Sequence, residues 1–191
     1  MKRIAIFASG SGSNAENIIR HFASRPQSGS VEVIVCNRPG AAVIDRASRL
    51  NVPVEMITAD DMNTPRRMIE MLDRYGINMI VLAGFLMMIP PYLTKKYEGR
   101  MLNIHPSLLP AYGGKGMYGR RIHEAVIAAG ETRSGITIHT VSEICDGGEI
   151  IFQALLDIAP NDTPSTLEAR IHDLERLHFP RIIEQYPIAG D

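Results

Sequence analysis

The chain has 191 residues, of which 45% are hydrophobic and 21% charged, and its formal net charge is −1. That length suffices to bury a substantial core in one domain, and a near-zero charge exerts no long-range pull on nucleic acid. No apolar run reaches the roughly 18 residues of a membrane span, the N-terminus lacks a signal-peptide h-region and cleavage site, and Cys36 and Cys145 are too few for a disulfide scaffold or a zinc site. The expectation is a cytoplasmic protein with small-molecule partners, without membrane or nucleic-acid contacts, and without a metal.

Arg3-Ile4-Ala5-Ile6-Phe7-Ala8 reads as a buried strand running into the glycine-serine turn Ser9-Gly10-Ser11-Gly12-Ser13-Asn14 and a helix from about Ala15 to Ser24. Glycines allow close backbone approach, and a helix start presents free N–H groups and a positive dipole end, so an anion should bind at this turn. The dinucleotide fingerprint is incomplete. Ala15 stands at the third glycine, and the second strand, Val31 to Cys36, ends in Asn37-Arg38 where an acid would meet a ribose hydroxyl. A phosphomonoester therefore fits better than NAD, and a plain serine cap remains the alternative. A helix from about Ala41 to Leu50 and a short strand at Val54-Glu55-Met56 continue the alternation, which implies a parallel sheet with helices on both faces. Thr64-Pro65 opens a helix with Arg66 and Arg67 in its first turn, and Gly76 stops it after Tyr75. Those arginines are either solvated or hold an acidic ligand.

Met79 to Ala83 is continuously apolar, as a central parallel strand should be, and it runs into the apolar loop Gly84 to Pro91. Leu86, Met87, Met88 and Ile89 either wall a ring-binding pocket or pack as core under a short helix. The next strand, Met101 to His105, carries Asn103 and His105, which share a face because strand side chains alternate. Pro106 and Pro110 force the chain out of the sheet as a stiff loop. The glycine-rich stretch Tyr112 to Gly119 reads as a mobile flap. A helix from about Arg120 to Ala129 follows, on which His123 fits a surface residue as well as a site residue. Gly135 to Val141 alternates as a strand, and Asp146-Gly147-Gly148 turns the chain into an antiparallel partner over Glu149 to Leu156. The last helix starts near Asp162 to Thr166 and runs to about Tyr186. Leu167, Ile171, Leu174 and His178 fall on its buried stripe, a kink or break is expected at Pro180, and His172 and Glu175 share a face.

From the residues alone, Asn103, His105 and Asp146 can stabilise an oxyanion and move a proton, and a core histidine beside a turn asparagine fits equally well. Four segments in this order decide more: Ser9 to Asn14, Leu82-Ala83-Gly84-Phe85, Asn103-Ile104-His105-Pro106-Ser107-Leu108-Leu109-Pro110, and Asp146-Gly147-Gly148. With them the chain resembles, over essentially its whole length, the folate-dependent phosphoribosylglycinamide formyltransferases. The resemblance implies the formyltransferase fold: α/β, Rossmann-like and doubly wound, with a mostly parallel sheet, a C-terminal antiparallel hairpin and a long C-terminal helix. One domain is implied over residues 1–191, with 1–100 as the phosphate-binding half and 101–191 as the catalytic and folate-binding half.

It further implies formyl transfer from 10-formyltetrahydrofolate to the amine of a phosphorylated glycinamide riboside, in purine synthesis, by a monomer or homodimer. Asn103, His105 and Asp146 match the catalytic trio. Ser11, Gly12, Ser13 and Asn14 match the phosphate loop, Glu175 matches the ribose contact, and His172 sits where the family places a second polar contact. The folate would meet Leu86, Met87, Met88 and Ile89, Asn103, and Ser142, Glu143, Ile144, Cys145 and Asp146, with its acidic tail near Arg66 or Arg67. Leu109-Pro110 is a candidate cis peptide by the same resemblance. The chain departs from many relatives in having Met87 where a polar residue is common, and in the composition of Gly113 to Arg121. A formyltetrahydrofolate deformylase or a methionyl-tRNA formyltransferase would need a further domain, and a non-catalytic nucleotide-binding module would leave the trio without a role.

Overall fold

The computed structural model describes residues 1–188. Seven strands form one sheet in the order β3-β2-β1-β4-β5-β6-β7. They are β1 (Lys2–Ala8), β2 (Gly29–Cys36), β3 (Val54–Met56), β4 (Met79–Leu82), β5 (Met101–His105), β6 (Arg133–Thr140) and β7 (Ile150–Asp157). The first five pair in parallel; β6 and β7 are antiparallel, so the expected hairpin extends a parallel sheet. The helices are α1 (Ser13–Ala23), α2 (Ala42–Arg49), α3 (Ala59–Met62), α4 (Pro65–Arg74), α5 (Pro91–Lys96), α6 (Arg120–Ala128) and α7 (Pro164–Gln185). Among the described residues no helix is long and apolar enough to cross a membrane.

Strand alternation divides the core in two. Ile4, Ile6, Ala8, Ile34, Val81 and Ile104 face a cluster closed by α1, α2, α6 and α7, whereas Ala5, Phe7, Val33, Val35 and Ile80 face one closed by α3, α4 and α5. Helices on both faces make the central strands apolar on both sides, and Ile4 to Ala8 are fully buried. The chain leaves β1 toward β2 on one side and returns through β4 on the other. The crevice beyond the carboxyl ends of β1 and β4 is therefore the switch point at which such sheets bind ligands.

Local chemistry sets the helix ends. Gly76, at φ 62°, follows α4 in the left-handed conformation that terminates it. Thr64 holds the N-cap position of α4, yet its hydroxyl donates to the Asp60 carbonyl and caps nothing. A capping box opens α7, where Thr163 Oγ1 accepts from the Thr166 N–H at 3.2 Å.

The expected break at Pro180 does not occur, for α7 runs through it to Gln185. Proline removes the N–H that would bond the Arg176 carbonyl. Asn17 Nδ2 on α1 supplies the replacement, donating to that carbonyl at 2.8 Å. Phe179 and Pro180 are buried, so packing also holds the helix through this point.

Candidate active site

The glycine-serine loop follows β1. Ser9 Oγ donates to Asn37 Oδ1 at 2.6 Å and accepts the Leu86 N–H at 2.9 Å, which ties the loop to the segment after β4. Gly12 is the N-cap of α1 at φ 75°, with no side-chain cap. Its first intrahelical partner is the Glu16 N–H, so the amides of Ser13, Asn14 and Ala15 lack intrahelical partners, and Ser13 and Asn14 line a ligand-sized opening. The two glycines differ in purpose. A Cβ on Gly12 would meet Val43 at 2.6 Å, so that glycine admits α2, whereas a Cβ on Gly10 would meet nothing within 4 Å. Close approach by a ligand is thus open at Gly10.

Asn14 reaches the middle of α7, where its Nδ2 donates to Glu175 Oε2 at 2.9 Å. Burial pushes the Glu175 carboxyl above its ordinary pKa, and the Asn14 bond and nearby His172 oppose the shift.

At the end of β5, Asn103 lies opposite His139 and His105 opposite Thr137 in the antiparallel ladder. His139 Nδ1 is 2.8 Å from the Thr140 carbonyl, which can only accept, so Nδ1 carries the proton. Its Nε2 then accepts from Asn103 Nδ2 at 3.0 Å, which fixes the amide and leaves its second N–H for the cavity. Burial holds the His139 pKa below the ordinary value despite the Thr140 bond and the Asp146 charge. His105 is read the same way. Nε2 donates to the Tyr112 carbonyl at 2.8 Å, so Nδ1 is the atom that gains or loses a proton, and it faces Asp146 Oδ2 at 3.6 Å.

Asp146 is delivered by the turn after β6. Ser142 Oγ accepts the Ile144 N–H at 3.2 Å, Asp146 stands at φ 54°, and the following Gly148 passes so close that a Cβ there would lie 1.7 Å from the Thr140 carbonyl oxygen. The carboxylate accepts the Gly114 N–H at 2.9 Å and lies 3.7 Å from His139 Nε2. Cys145 Sγ is 3.8 Å from it, and burial together with that charge raises the thiol pKa.

The loop after His105 is stapled to the hairpin. Thr137 Oγ1 donates to the Ser107 carbonyl and accepts from the Leu109 N–H at 3.0 Å, and Gln153 Nε2 donates to both Thr137 Oγ1 and the Leu109 carbonyl. Leu109-Pro110 is cis.

A cavity of about 630 Å³ unites these parts. Of the residues expected from sequence it gathers Ser11, Gly12, Ser13, Asn14, Leu86, Met87, Met88, Asn103, His105, Cys145, Asp146, His172 and Glu175. Both halves of the chain contribute, so Leu86 to Met88 and the trio form one chamber. Ile89 is buried in the core over α5, so the apolar loop divides between pocket wall and core. Ser142, Glu143 and Ile144 form the turn outside the lining, with Ile144 72% exposed. Arg66 and Arg67 are also outside it. Arg66 pairs with Glu70 at 2.7 Å and Arg67 with Asp61 at 2.9 Å, and Arg67 borders a separate depression with Glu55, Met71 and Arg74.

Two histidines join the site: His139, which the sequence did not single out, and His123, which the sequence left open between surface and site. His139 orients Asn103, and its signal was the polar position opposite Asn103 once β6 is paired antiparallel. His123 lines the cavity and is buried on α6, with Nδ1 unpartnered. Burial lowers its pKa, opposed by Glu168 and reinforced by His172 and His105. Among the described residues no cluster of His, Cys, Asp and Glu is arranged to hold a metal ion.

The sequence profile described as "Formyl transferase" matches residues 2–183. The phosphoribosylglycinamide formyltransferase of Bacillus subtilis is 37% identical over 189 residues, a match covering 97% of this chain and 94% of that protein. The chloroplastic phosphoribosylglycinamide formyltransferase of Arabidopsis thaliana is 37% identical over 183 residues, covering 93% of this chain; the chain spans 63% of that relative's length. For the Vigna unguiculata counterpart, 38% identical over 189 residues, the shares are 96% and 60%. Among solved structures, phosphoribosylglycinamide formyltransferase from Bacillus halodurans superposes with a TM-score of 0.87 at 35% identity, covering 100% of this chain and 97% of that one. Glycinamide ribonucleotide transformylase 1 from Geobacillus kaustophilus does so with a TM-score of 0.86 at 39% identity, covering 96% and 97%.

Proposed function

The chain belongs to the formyl transferase family, and from that premise we propose that it transfers the formyl group of 10-formyltetrahydrofolate to the amine of phosphoribosylglycinamide, a step of purine synthesis. The carrying observation is the placing of Asn103, His105 and Asp146 in one cavity between unpaired amides at the start of α1 and the apolar side chains Leu86 to Met88. A phosphorylated acceptor and an apolar ring system bound at those two ends would meet at the trio. The names of the relatives above supply the identity of the two substrates.

In the proposed reaction the acceptor amine attacks the formyl carbon. A C–N bond forms, the carbonyl π bond becomes an oxyanion, and the bond to the folate nitrogen then breaks as a proton passes from the amine to that nitrogen. The free N–H of Asn103 donates to the oxyanion, since its other N–H is engaged by His139. His105, protonated at Nδ1, adds positive charge, and Asp146 stabilises that imidazolium and orders the water that relays the proton. No covalent enzyme intermediate is needed. The alternation of uncharged and charged partners around Asn103 and His105 supports the assignment, because a neutral His139 leaves Asp146 to act on His105 alone.

Ser11 to Asn14 hold the phosphate, Glu175 the ribose, and His172 gives the acceptor a second polar contact. The pterin lies against Leu86, Met87 and Met88 and the backbone around Cys145. Arg66 or Arg67 serves the acidic tail by exchanging an exposed ion pair, which is worth little on its own. The proposal covers a single formyltransferase domain acting in the cytoplasm as a monomer or homodimer, with small molecules and no nucleic acid as partners. Formyl transfer followed with and without the phosphorylated acceptor tests it. Acceptor-dependent release of tetrahydrofolate is expected; acceptor-independent release would indicate a deformylase, and no turnover with either substrate a binding module.

A further inference from the structure

We propose that Lys115, on the glycine-rich flap before α6, is the cation that recognises the acceptor's phosphate, and that the flap carries it onto the α1 loop when the acceptor binds. The proposal rests on the reading of a phosphorylated acceptor given above.

Charge balance in the cavity points to it. A phosphate monoester carries roughly 1.5 to 2 negative charges near neutral pH, and a helix N-terminus offers the equivalent of about half a positive charge. The cavity also contains the carboxylates of Asp146, Glu168 and Glu175. Lys115 is the sole lysine or arginine among its lining residues. The nearest cation at the phosphate loop, Arg46, is already committed, for its Nε donates to the Ser11 carbonyl at 2.8 Å and its Nη1 pairs with Glu16. Lys115 is exposed and has no hydrogen bond or ion pair among the described residues. An unpaired ammonium and a phosphate with no other lysine or arginine in the lining therefore share one chamber.

The flap is built to let that ammonium move. Gly114, Gly116 and Gly119 have φ of 90°, 92° and 55°, and a Cβ on any of them would meet nothing within 4 Å. These glycines are needed for backbone conformation and do not make room for a neighbour. At the flap's base the reverse holds, since a Cβ on Gly113 would strike Leu109 Cδ2 at 2.4 Å. Open space at Gly114, Gly116 and Gly119 gives the backbone room to turn on either side of Lys115, between the base packed at Gly113 and the Met117 side chain packed on the core. The residue beside the lysine, Gly114, donates its N–H to Asp146 Oδ2. Movement of Lys115 toward phosphate thus acts one residue from the bond that positions the catalytic carboxylate.

The test compares wild type, Lys115→Met and Lys115→Arg with the phosphorylated acceptor and with its dephosphorylated riboside, alongside calorimetric binding of ribose 5-phosphate. Loss of a charge-assisted contact typically weakens binding by about tenfold to a hundredfold. Lys115→Met should raise KM for the phosphorylated acceptor, and Kd for ribose 5-phosphate, by that factor; kinetics with the riboside should not change, and Lys115→Arg should restore most of the loss. Equal effects on both acceptors, or an unchanged KM and Kd, would overturn the proposal. If wild type transfers no formyl group, the reading of the reaction fails instead, and ribose 5-phosphate binding still decides the role of Lys115.

Discussion

Replacing Asp146 by Asn isolates the charge on which the proposed chemistry depends. The carboxylate is 3.6 Å from His105 Nδ1, and both side chains are largely buried, at 11% and 6% exposure. A pair of unit charges at that separation interacts by roughly 4 to 5 kcal/mol at an effective dielectric of about 20. An asparagine oxygen keeps a dipolar part of this, and water entering the open cavity screens more, so a net loss of about 3 kcal/mol in transition-state stabilisation is expected, or roughly a hundredfold in kcat. The amide is isosteric and can still accept the Gly114 N–H, the 2.9 Å bond that orders the turn. Folding and acceptor binding should therefore survive. Stopped-flow or spectrophotometric measurement of kcat, with thermal unfolding as a control, decides the matter. A kcat within about fivefold of wild type in a folded variant would refute the assigned electrostatics, and a collapse of thermal stability would show that Asp146 serves the turn more than the reaction.

Glu175→Gln should retain the Asn14 bond, because the glutamine oxygen can accept it, and relieve the carboxyl whose pKa burial raises. Stability at pH 7.5 should stay level or rise by about 1 kcal/mol while KM for the acceptor increases, as urea denaturation and initial-rate kinetics would reveal; a marked destabilisation contradicts the strain assigned to that charge. Acid should weaken the fold through His123 and His139. Burial lowers both folded pKa values below the ordinary histidine value of about 6.5, so below that pH the unfolded chain binds protons first. The loss should begin near pH 6.5 and continue downward to the folded values, at up to about 1.4 kcal/mol per pH unit for each histidine. Glu175, with a raised pKa, acts in the opposite direction, so the urea midpoint is best followed from pH 7.5 to 5.5 in Glu175→Gln. His123→Asn should flatten the slope, and an unchanged slope would mean that His123 binds protons equally in both states over that range.

Long, strongly patterned elements were legible in the sequence because their burial is two-sided or periodic. The runs around β1 and β4, the glycine stop after α4 and the hairpin of β6 and β7 all follow from local composition. What escaped was short or depended on pairing. α3 spans one turn, although Thr58 and Asp61 spell a capping box that could have announced it. α5 is hidden behind Pro90 and Pro91, read there as loop.

His139 gains its place from the register of β5 against β6, which periodicity alone does not give. The candidate trio itself was visible as residues but not as a constellation, since Asp146 reaches His105 only through the turn at Ser142 to Gly148. Arg66 and Arg67 show the limit of reading charge from helix position. A first-turn arginine looks available, and here an acidic neighbour on the same surface already occupies each.

The proline in α7 has a consequence for assembly of the site. Its missing N–H leaves the Arg176 carbonyl to Asn17, three residues after the Asn14 that grips Glu175. Two side chains on one face of α1 thus hold two consecutive residues of α7, Glu175 and Arg176. A slip of one helix along the other by a single turn would strand a carbonyl in one place and a buried carboxylate in the other. The lesion in the helix behaves as an alignment pin, and the two halves of the chain meet in one register because one backbone bond was never available.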